Sequence, residues 1–311
     1  MNLTINHIIS FCKGVFHGNL TEFTVSHISI DSRSLQNGNN TLFFAIKGQN
    51  HDAHLYLEEL IVKGVRYFVV ESIPEHLSEK ANFIIVENSL KALQQTAIGY
   101  RKQFDFPFLG ITGSNGKTIV KEWLNFLLSP NHLIVRNPKS YNSQVGVALS
   151  ILGIEGNYDL GIFEAGISLP NEMSNLEQII QPKFGILTTI GSAHDEGFPN
   201  REEKIKEKIK LFENCTDIFL EKNDKIETLL PKNSNKHTWS FSDENAQLFV
   251  SKKNYRDSTE LTFKNKDNSF AIIVPFTDEN SIENVITCVN FMLFLGEEIA
   301  FIQDQISKLY A

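Results

Sequence analysis

One stretch of eight residues restricts the fold of this 311-residue chain more than any other: Ile111, Thr112, Gly113, Ser114, Asn115, Gly116, Lys117 and Thr118. It ends the apolar run Phe108–Thr112, which reads as a buried strand, and opens the helical pattern Lys117–Leu128. A strand that passes through a glycine loop into a helix turns backbone N–H groups and a helix N-terminus towards one point, and such a point attracts phosphate. In a loop of this type Lys117 reaches the β- and γ-phosphates and the Thr118 hydroxyl ligates Mg²⁺. The common spacing G-x-x-x-x-G-K-[ST] is not met, because Ile111 holds the first glycine position and Gly110 lies one residue early. The plainer alternative is a glycine turn ahead of an ordinary helix.

The rest of the chain supplies the context that a phosphate loop needs. Short β-rich runs at residues 25–30, 41–46, 66–70 and 83–86 alternate with helical patterns at 53–63 and 89–104, which reads as α/β. Pro107 biases Phe106 away from helix and marks a hinge, so two domains are expected, 1–105 and 106–311. In the second, apolar strands at 133–135, 160–165 and 184–190 follow the loop, the pattern of a mainly parallel sheet covered on both faces. After Cys215 the strands at 237–241, 247–250, 260–263 and 270–274 read as a smaller β-rich extension, closed by helical patterns at 281–294 and 298–310.

Charge and cysteine usage remove several function classes. Lys+Arg 29 against Asp+Glu 37 gives a net charge of −8, with no basic face for nucleic acid. Three dispersed cysteines, Cys12, Cys215 and Cys288, form no disulfide framework or metal pair and fit a reducing, cytoplasmic setting. No run approaches 18 apolar residues, so membrane insertion is not expected. His51 and His54 lack the companions a zinc site needs, and no G-x-S-x-G elbow is present.

The shortened loop resembles that of the Mur ligases, ATP-dependent amide ligases of peptidoglycan precursor synthesis. Val120, Lys121 and Glu122 resemble the MurF branch, which adds a dipeptide to UDP-MurNAc-tripeptide. Further segments resemble family motifs in the family's order: residues 141–147 around Asn142, Phe163 to Gly166 around Glu164, Ile190 to His194, the lysine-bearing residues 203–212, and Ser281 to Asn284. Upstream, residues 30–33 and 43–54 resemble the family's UDP-sugar-binding domain.

The resemblance implies a two-step reaction. A substrate carboxylate attacks the ATP γ-phosphate, and an amine then displaces phosphate from the acyl phosphate. The first step brings an anion to a polyanion, so positive charge must gather between them. It implies ATP held by Gly113, Ser114, Asn115, Gly116, Lys117 and Thr118, with Asn284 at the adenine. It implies Mg²⁺ at Thr118 and Glu164, a second ion at His194 and Lys208, and catalytic roles for Lys117, His194 and Lys208. Glu164 and His194 fall at or just beyond the ends of apolar strands, the edge where open α/β sheets bind ligands. Ser32, Arg33, Lys47, His54 and Asn142 are the candidates for UDP-MurNAc-peptide, and D-Ala-D-Ala is the implied second substrate. Surface loop residues are the alternative for the first four.

Lys208 lies in a charged run, residues 202–210, whose ordinary reading is a solvated helix. Ile205, Ile209 and Phe212 define an apolar stripe that Lys208 borders, while Lys204, Lys206 and Lys210 project farther from its centre. A lysine turned inward has a lowered pKa and, as the neutral amine, can add CO₂; its family position implies that carbamate. The alternative is a snorkelling side chain.

Mur ligases carry a third domain, and after Asn284 only two helical patterns remain, so the chain is expected to be a monomeric fragment with poor ligase activity. A parent fused to an alanine racemase would accommodate that. Another Mur or folylpolyglutamate-type ligase, and a catalytically silent UDP-sugar-binding module, are the competing readings.

Overall fold

Thr41–Phe44, Tyr67–Val70, Phe108–Thr112, Leu160–Glu164 and Phe184–Leu187 are buried at every position. Strands of that kind must be covered on both faces, which parallel sheets with crossover helices achieve. The computed structural model describes residues 3–19, 23–35, 38–48, 51–191, 198–266 and 268–309 and has this α/β architecture. The chain divides into two units, Met1–Asp105 with Gln144–Gly156, and Phe106–Ser143 with Asn157–Ala311.

The first unit holds a five-stranded sheet in the order Val15–His17, Asn82–Ile85, Tyr67–Val70, Thr41–Phe44, His27–Ser29. Its first pair is antiparallel and the remainder parallel. In the sheet core Phe68 stacks on Phe83 and meets Phe43 edge to face. Residues 144–156, expected in the second domain, depart from the sequence boundary. The helix Gln144–Leu152 buries Val147, Ala148, Ile151 and Leu152, and it packs with Ser89–Arg101. Gln94 Nε2 donates to Gln144 Oε1 (2.8 Å) and the Tyr100 hydroxyl to the Ile154 carbonyl (2.7 Å). An apolar helix settles where its face is best covered, and chain order does not reveal which unit covers it.

In the second unit a nine-stranded sheet runs Ile134–Arg136, Leu160–Glu164, Phe108–Thr112, Phe184–Leu187, Asp217–Glu221, Asn235–Ser240, Leu248–Asn254, Thr259–Lys264, Ser269–Val274. Strand pairing is parallel as far as Leu248–Asn254 and antiparallel beyond it. The β-rich extension is therefore continuous with the main sheet. It joins through Asp217–Glu221, a strand the sequence patterning does not single out. Helices Lys117–Leu128, Glu279–Phe294 and Ile299–Ile306 cover one face, with Leu124, Val289 and Ile302 in a shared core. Among the described residues no helix is long and apolar enough to cross a membrane.

The strand order places the site. From Phe108–Thr112 the chain crosses to one side of the sheet, to Ile134–Arg136; from Phe184–Leu187 it crosses to the other, to Asp217–Glu221. Two adjacent parallel strands whose connections diverge leave a crevice at their C-terminal ends. The glycine loop leaves one of those ends.

Candidate functional site

The loop has the backbone that its glycines allow. Gly113 and Gly116 have φ of +151° and +82°, where a side chain would be strained. A Cβ at Gly113 would lie 1.9 Å from Thr188 Oγ1, and one at Gly116 2.2 Å from Asn284 Oδ1. Backbone N–H groups of Ser114 and Asn115 donate to the Thr189 carbonyl (2.9 and 3.3 Å), and Thr188 Oγ1 donates to the Asn115 carbonyl (2.6 Å). The loop is thus clamped to the end of the neighbouring strand. The first helical bond comes from Val120 N–H to the Gly116 carbonyl (2.8 Å), so the preceding amides of Lys117 and Thr118 face the helix entrance. Such an entrance suits an anion by geometry and by dipole.

Lys117 Nζ donates to the carbonyls of Gly113 (3.0 Å) and Ser114 (3.3 Å), folded over its own loop. Burial lowers its pKa, and the Glu164 carboxylate opposes that shift. Lys208 Nζ donates to the same Gly113 carbonyl at 3.0 Å, so two ammonium groups converge on one oxygen. Lys208 is buried, and burial, with Lys117 and Lys204 adding repulsion, lowers its pKa from 10.5 to about 7.

The helix carrying Lys208, Arg201–Ile209, buries Ile209, and Phe212 just beyond it, as the apolar stripe predicts, but the inward face is wider than that stripe. Lys204, Glu207, Lys208 and Leu211 are buried, whereas Ile205 is only half-buried. Lys204, expected to project away, is fully enclosed and donates to the Gly191 carbonyl (2.7 Å). Glu207 accepts from Met173 N–H (3.2 Å) and pairs with Lys210 (2.6 Å). Polar partners for Lys204, Glu207 and Lys208 widen the buried face beyond the apolar stripe of Ile209 and Phe212.

Glu164 ends its strand with no solvent exposure. Its backbone N–H donates to Asn137 Oδ1 (3.0 Å) and its carbonyl accepts from Asn137 Nδ2 (3.1 Å). Oε1 accepts from Asn142 Nδ2 (3.1 Å), while Oε2 is buried without a hydrogen-bond partner. A buried carboxylate oxygen left in that state is costly unless a cation completes it. The donor set suits Mg²⁺, a hard ion that takes one or two protein oxygens and fills its octahedron with phosphates and water. Thr118, a half-buried residue in the first turn of the helix that leaves the same sheet edge, is the candidate for a second oxygen. Among the described residues no group of three His, Cys, Asp or Glu side chains gathers to hold a metal by itself. His194 lies outside the described residues.

Beside the loop a cleft of about 160 Å³ is lined by Thr189, Glu221, Asn223, Glu283, Asn284 and Thr287 among others. Asn284 is buried against Gly116, which ties the cleft to the phosphate loop. Thr189 Oγ1 donates to Glu283 Oε2 (2.7 Å), and burial together with Glu283 raises the Glu221 pKa.

In the first unit the candidates are more committed to structure. His54 Nδ1 meets Asp52 Oδ1 at 2.6 Å and its Nε2 accepts the Glu71 N–H at 2.9 Å, so both ring nitrogens are used within the fold. The Arg33 guanidinium bonds both Asp31 carboxylate oxygens at 3.0 Å and is 88% exposed. Ser32 is buried, with its carbonyl accepting from Lys63 Nζ (3.0 Å), and Lys47 N–H donates to Ser89 Oγ (3.4 Å). Asn142 stands in the second unit at Glu164. Thr188 and Lys204 line the loop without a place among the sequence candidates, and Lys121, quoted there only within the Val120–Glu122 segment, carries a further signal as a lysine between the buried positions Val120 and Leu124.

Residues 111–292 match the family model described as Mur ligase middle domain. The chain is 33% identical to the UDP-N-acetylmuramoyl-tripeptide–D-alanyl-D-alanine ligase of Borreliella burgdorferi, over 95% of this chain and 67% of that one. It is 23% identical to the Escherichia coli protein of the same name, over 100% and 69%. Among solved structures it resembles MurF from Acinetobacter baumannii (TM-score 0.90, 21% identity, 100% and 69% covered). It also resembles MurF ligase from Thermotoga maritima in complex with ADP (TM-score 0.82, 23% identity, 92% and 66% covered). The chain spans about two thirds of the length of these relatives.

Proposed function

The chain belongs to the Mur ligase family, and from that premise we propose that it serves the MurF reaction, the ATP-dependent joining of D-Ala-D-Ala to UDP-MurNAc-tripeptide. The observation that carries this reading is Glu164: a fully buried carboxylate with one oxygen lacking a hydrogen-bond partner, one strand away from a glycine loop whose Gly113 carbonyl is shared by Lys117 and Lys208.

The residues divide the work by charge. On nucleotide binding, Lys117 exchanges its two loop carbonyls for phosphate oxygens, and the amides at the helix entrance hold the remaining phosphate charge. Thr118 and Glu164 would hold Mg²⁺, which would supply positive charge against the phosphates when bound. Asn284, against Gly116, contacts the adenine in the adjoining cleft. Lys208 is the candidate for a carbamate, because burial brings it to about 7 and leaves a large neutral fraction near neutral pH. His194 would complete the second metal position. Ser32, Arg33 and Lys47 remain candidates for the UDP-MurNAc moiety, with Arg33 requiring release from Asp31. A cytoplasmic location follows from substrates that are soluble nucleotide conjugates.

Lys117→Ala tests the enzymatic reading against a silent UDP-sugar-binding module. We expect ATP affinity measured by calorimetry with Mg²⁺ to fall at least tenfold, with the ~2–4 kcal/mol typical of a lost phosphate-clamping charge. Unchanged affinity refutes the nucleotide site. Phosphate release that requires both UDP-MurNAc-tripeptide and D-Ala-D-Ala then identifies the MurF reaction among related ligations.

A further inference from the structure

We propose that Lys121 is a positioning residue that holds Glu164 and the loop 137–142 in the arrangement that receives Mg²⁺; the inference rests on the nucleotide-site reading above. Lys121 sits one helical turn beyond Lys117 and has no solvent exposure. Its ammonium donates to the carbonyls of Asn137 (2.8 Å) and Lys139, pairs with Glu122 Oε1 at 3.3 Å, and stands 4.0 Å from Glu164 Oε2. Glu122 is in turn fixed by Arg136 (2.9 Å). A buried charge is tolerated only where acceptors surround it, and methionine would fill the same volume without that cost. The groups that orient Glu164 all come from the loop that Lys121 gathers. Asn137 bonds its backbone on both sides, and Asn142 bonds Oε1. Lys139, at φ +48°, bends the loop so that two of its carbonyls face one ammonium.

The 4.0 Å separation gives this arrangement its chemistry. It is too long for a hydrogen bond, so Oε2 keeps its lone pairs for a cation. It is short enough for ammonium and carboxylate to attract one another, which holds Oε2 towards the loop. Lys121 therefore acts through Glu164 and touches neither nucleotide nor metal.

The test measures affinity for a fluorescent ATP analogue with Mg²⁺ and with EDTA, in the wild-type chain, Lys121→Met, Glu164→Gln and the double variant. We expect Lys121→Met to reduce the Mg²⁺-dependent gain in affinity about tenfold, as changes behind a metal ligand do, and to leave EDTA affinity unaltered. In the Glu164→Gln background it should add nothing. An equal loss in EDTA, or full additivity with Glu164→Gln, overturns the proposal. A wild-type chain without any Mg²⁺-dependent gain would instead refute the site itself. If circular dichroism shows Lys121→Met unfolded, Lys121→Arg carries the test. Its longer fork retains the charge but reaches and occupies Oε2, so the Mg²⁺ gain should fall; an unchanged gain overturns the proposal.

Discussion

Replacing Lys208 with methionine should make the chain more stable while destroying the site. The ammonium is enclosed beside Lys117 and Lys204, and its pKa falls from 10.5 to about 7. At 1.36 kcal/mol per pH unit, holding it charged in the fold costs about 5 kcal/mol relative to the unfolded chain. Relaxation around a buried charge recovers part of this, so we take about half. Methionine also gives up the hydrogen bond to Gly113, worth about 1 kcal/mol, although that carbonyl still accepts from Lys117. The net gain near pH 7 is about 1–2 kcal/mol, a rise of a few degrees in Tm. The sign fixes the pH dependence. Between about 7 and 10.5 the unfolded chain binds a proton that the folded chain releases, so wild-type stability rises through that window by up to about 1.4 kcal/mol per pH unit. The advantage of the variant must shrink over the same range. Thermal melts followed by circular dichroism in CO₂-free buffer, from pH 6.5 to 9.5, read both effects. A variant no more stable than wild type at pH 7, or an offset independent of pH, refutes the reasoning. Added bicarbonate should raise the Tm of the wild-type chain alone, because only a neutral lysine can trap CO₂ and stabilise the fold by mass action.

Gly116→Ala places a Cβ 2.2 Å from Asn284 Oδ1 at φ +82°, so it should cost about 1–2 kcal/mol of stability and lower ATP affinity more than tenfold, measured by urea melts and calorimetry. Glu164→Gln removes the charge but keeps the shape; Mg²⁺ should then no longer tighten nucleotide binding, while EDTA affinity stays within about twofold, read by fluorescence titration. His54→Phe strands Asp52 and the Glu71 N–H, and should destabilise the first unit by about 2 kcal/mol in urea unfolding, with UDP affinity of the folded fraction retained.

The loop was legible because strand, glycines, Lys117, Thr118 and helix are contiguous, and local backbone requirements dictate each residue type. Lys208 was legible by its place near an apolar stripe, but that stripe is only part of what encloses it. Helical projection takes Ile205 as inward, whereas the folded helix buries Lys204 and leaves Ile205 half-exposed. Carbonyl acceptors on Gly113 and Gly191, distant in sequence, reverse the usual preference. His54 shows the converse: a residue type suited to a ligand is consumed by Asp52 and by a backbone N–H seventeen residues away.

By itself the sequence determined the α/β class and the strand, glycine turn and helix around Lys117 and Thr118, since these follow from periodicity and from what a tight turn into a helix permits. Tertiary structure alone decided that Phe108–Thr112 lies between Leu160–Glu164 and Phe184–Leu187, so that Glu164, Thr188 and Lys208 meet the loop. It alone assigned residues 144–156 to the first unit and enclosed Lys121 against the Glu164 loop. Strand order and burial are set by which faces can be covered together, a property of the whole packed chain that no single segment contains.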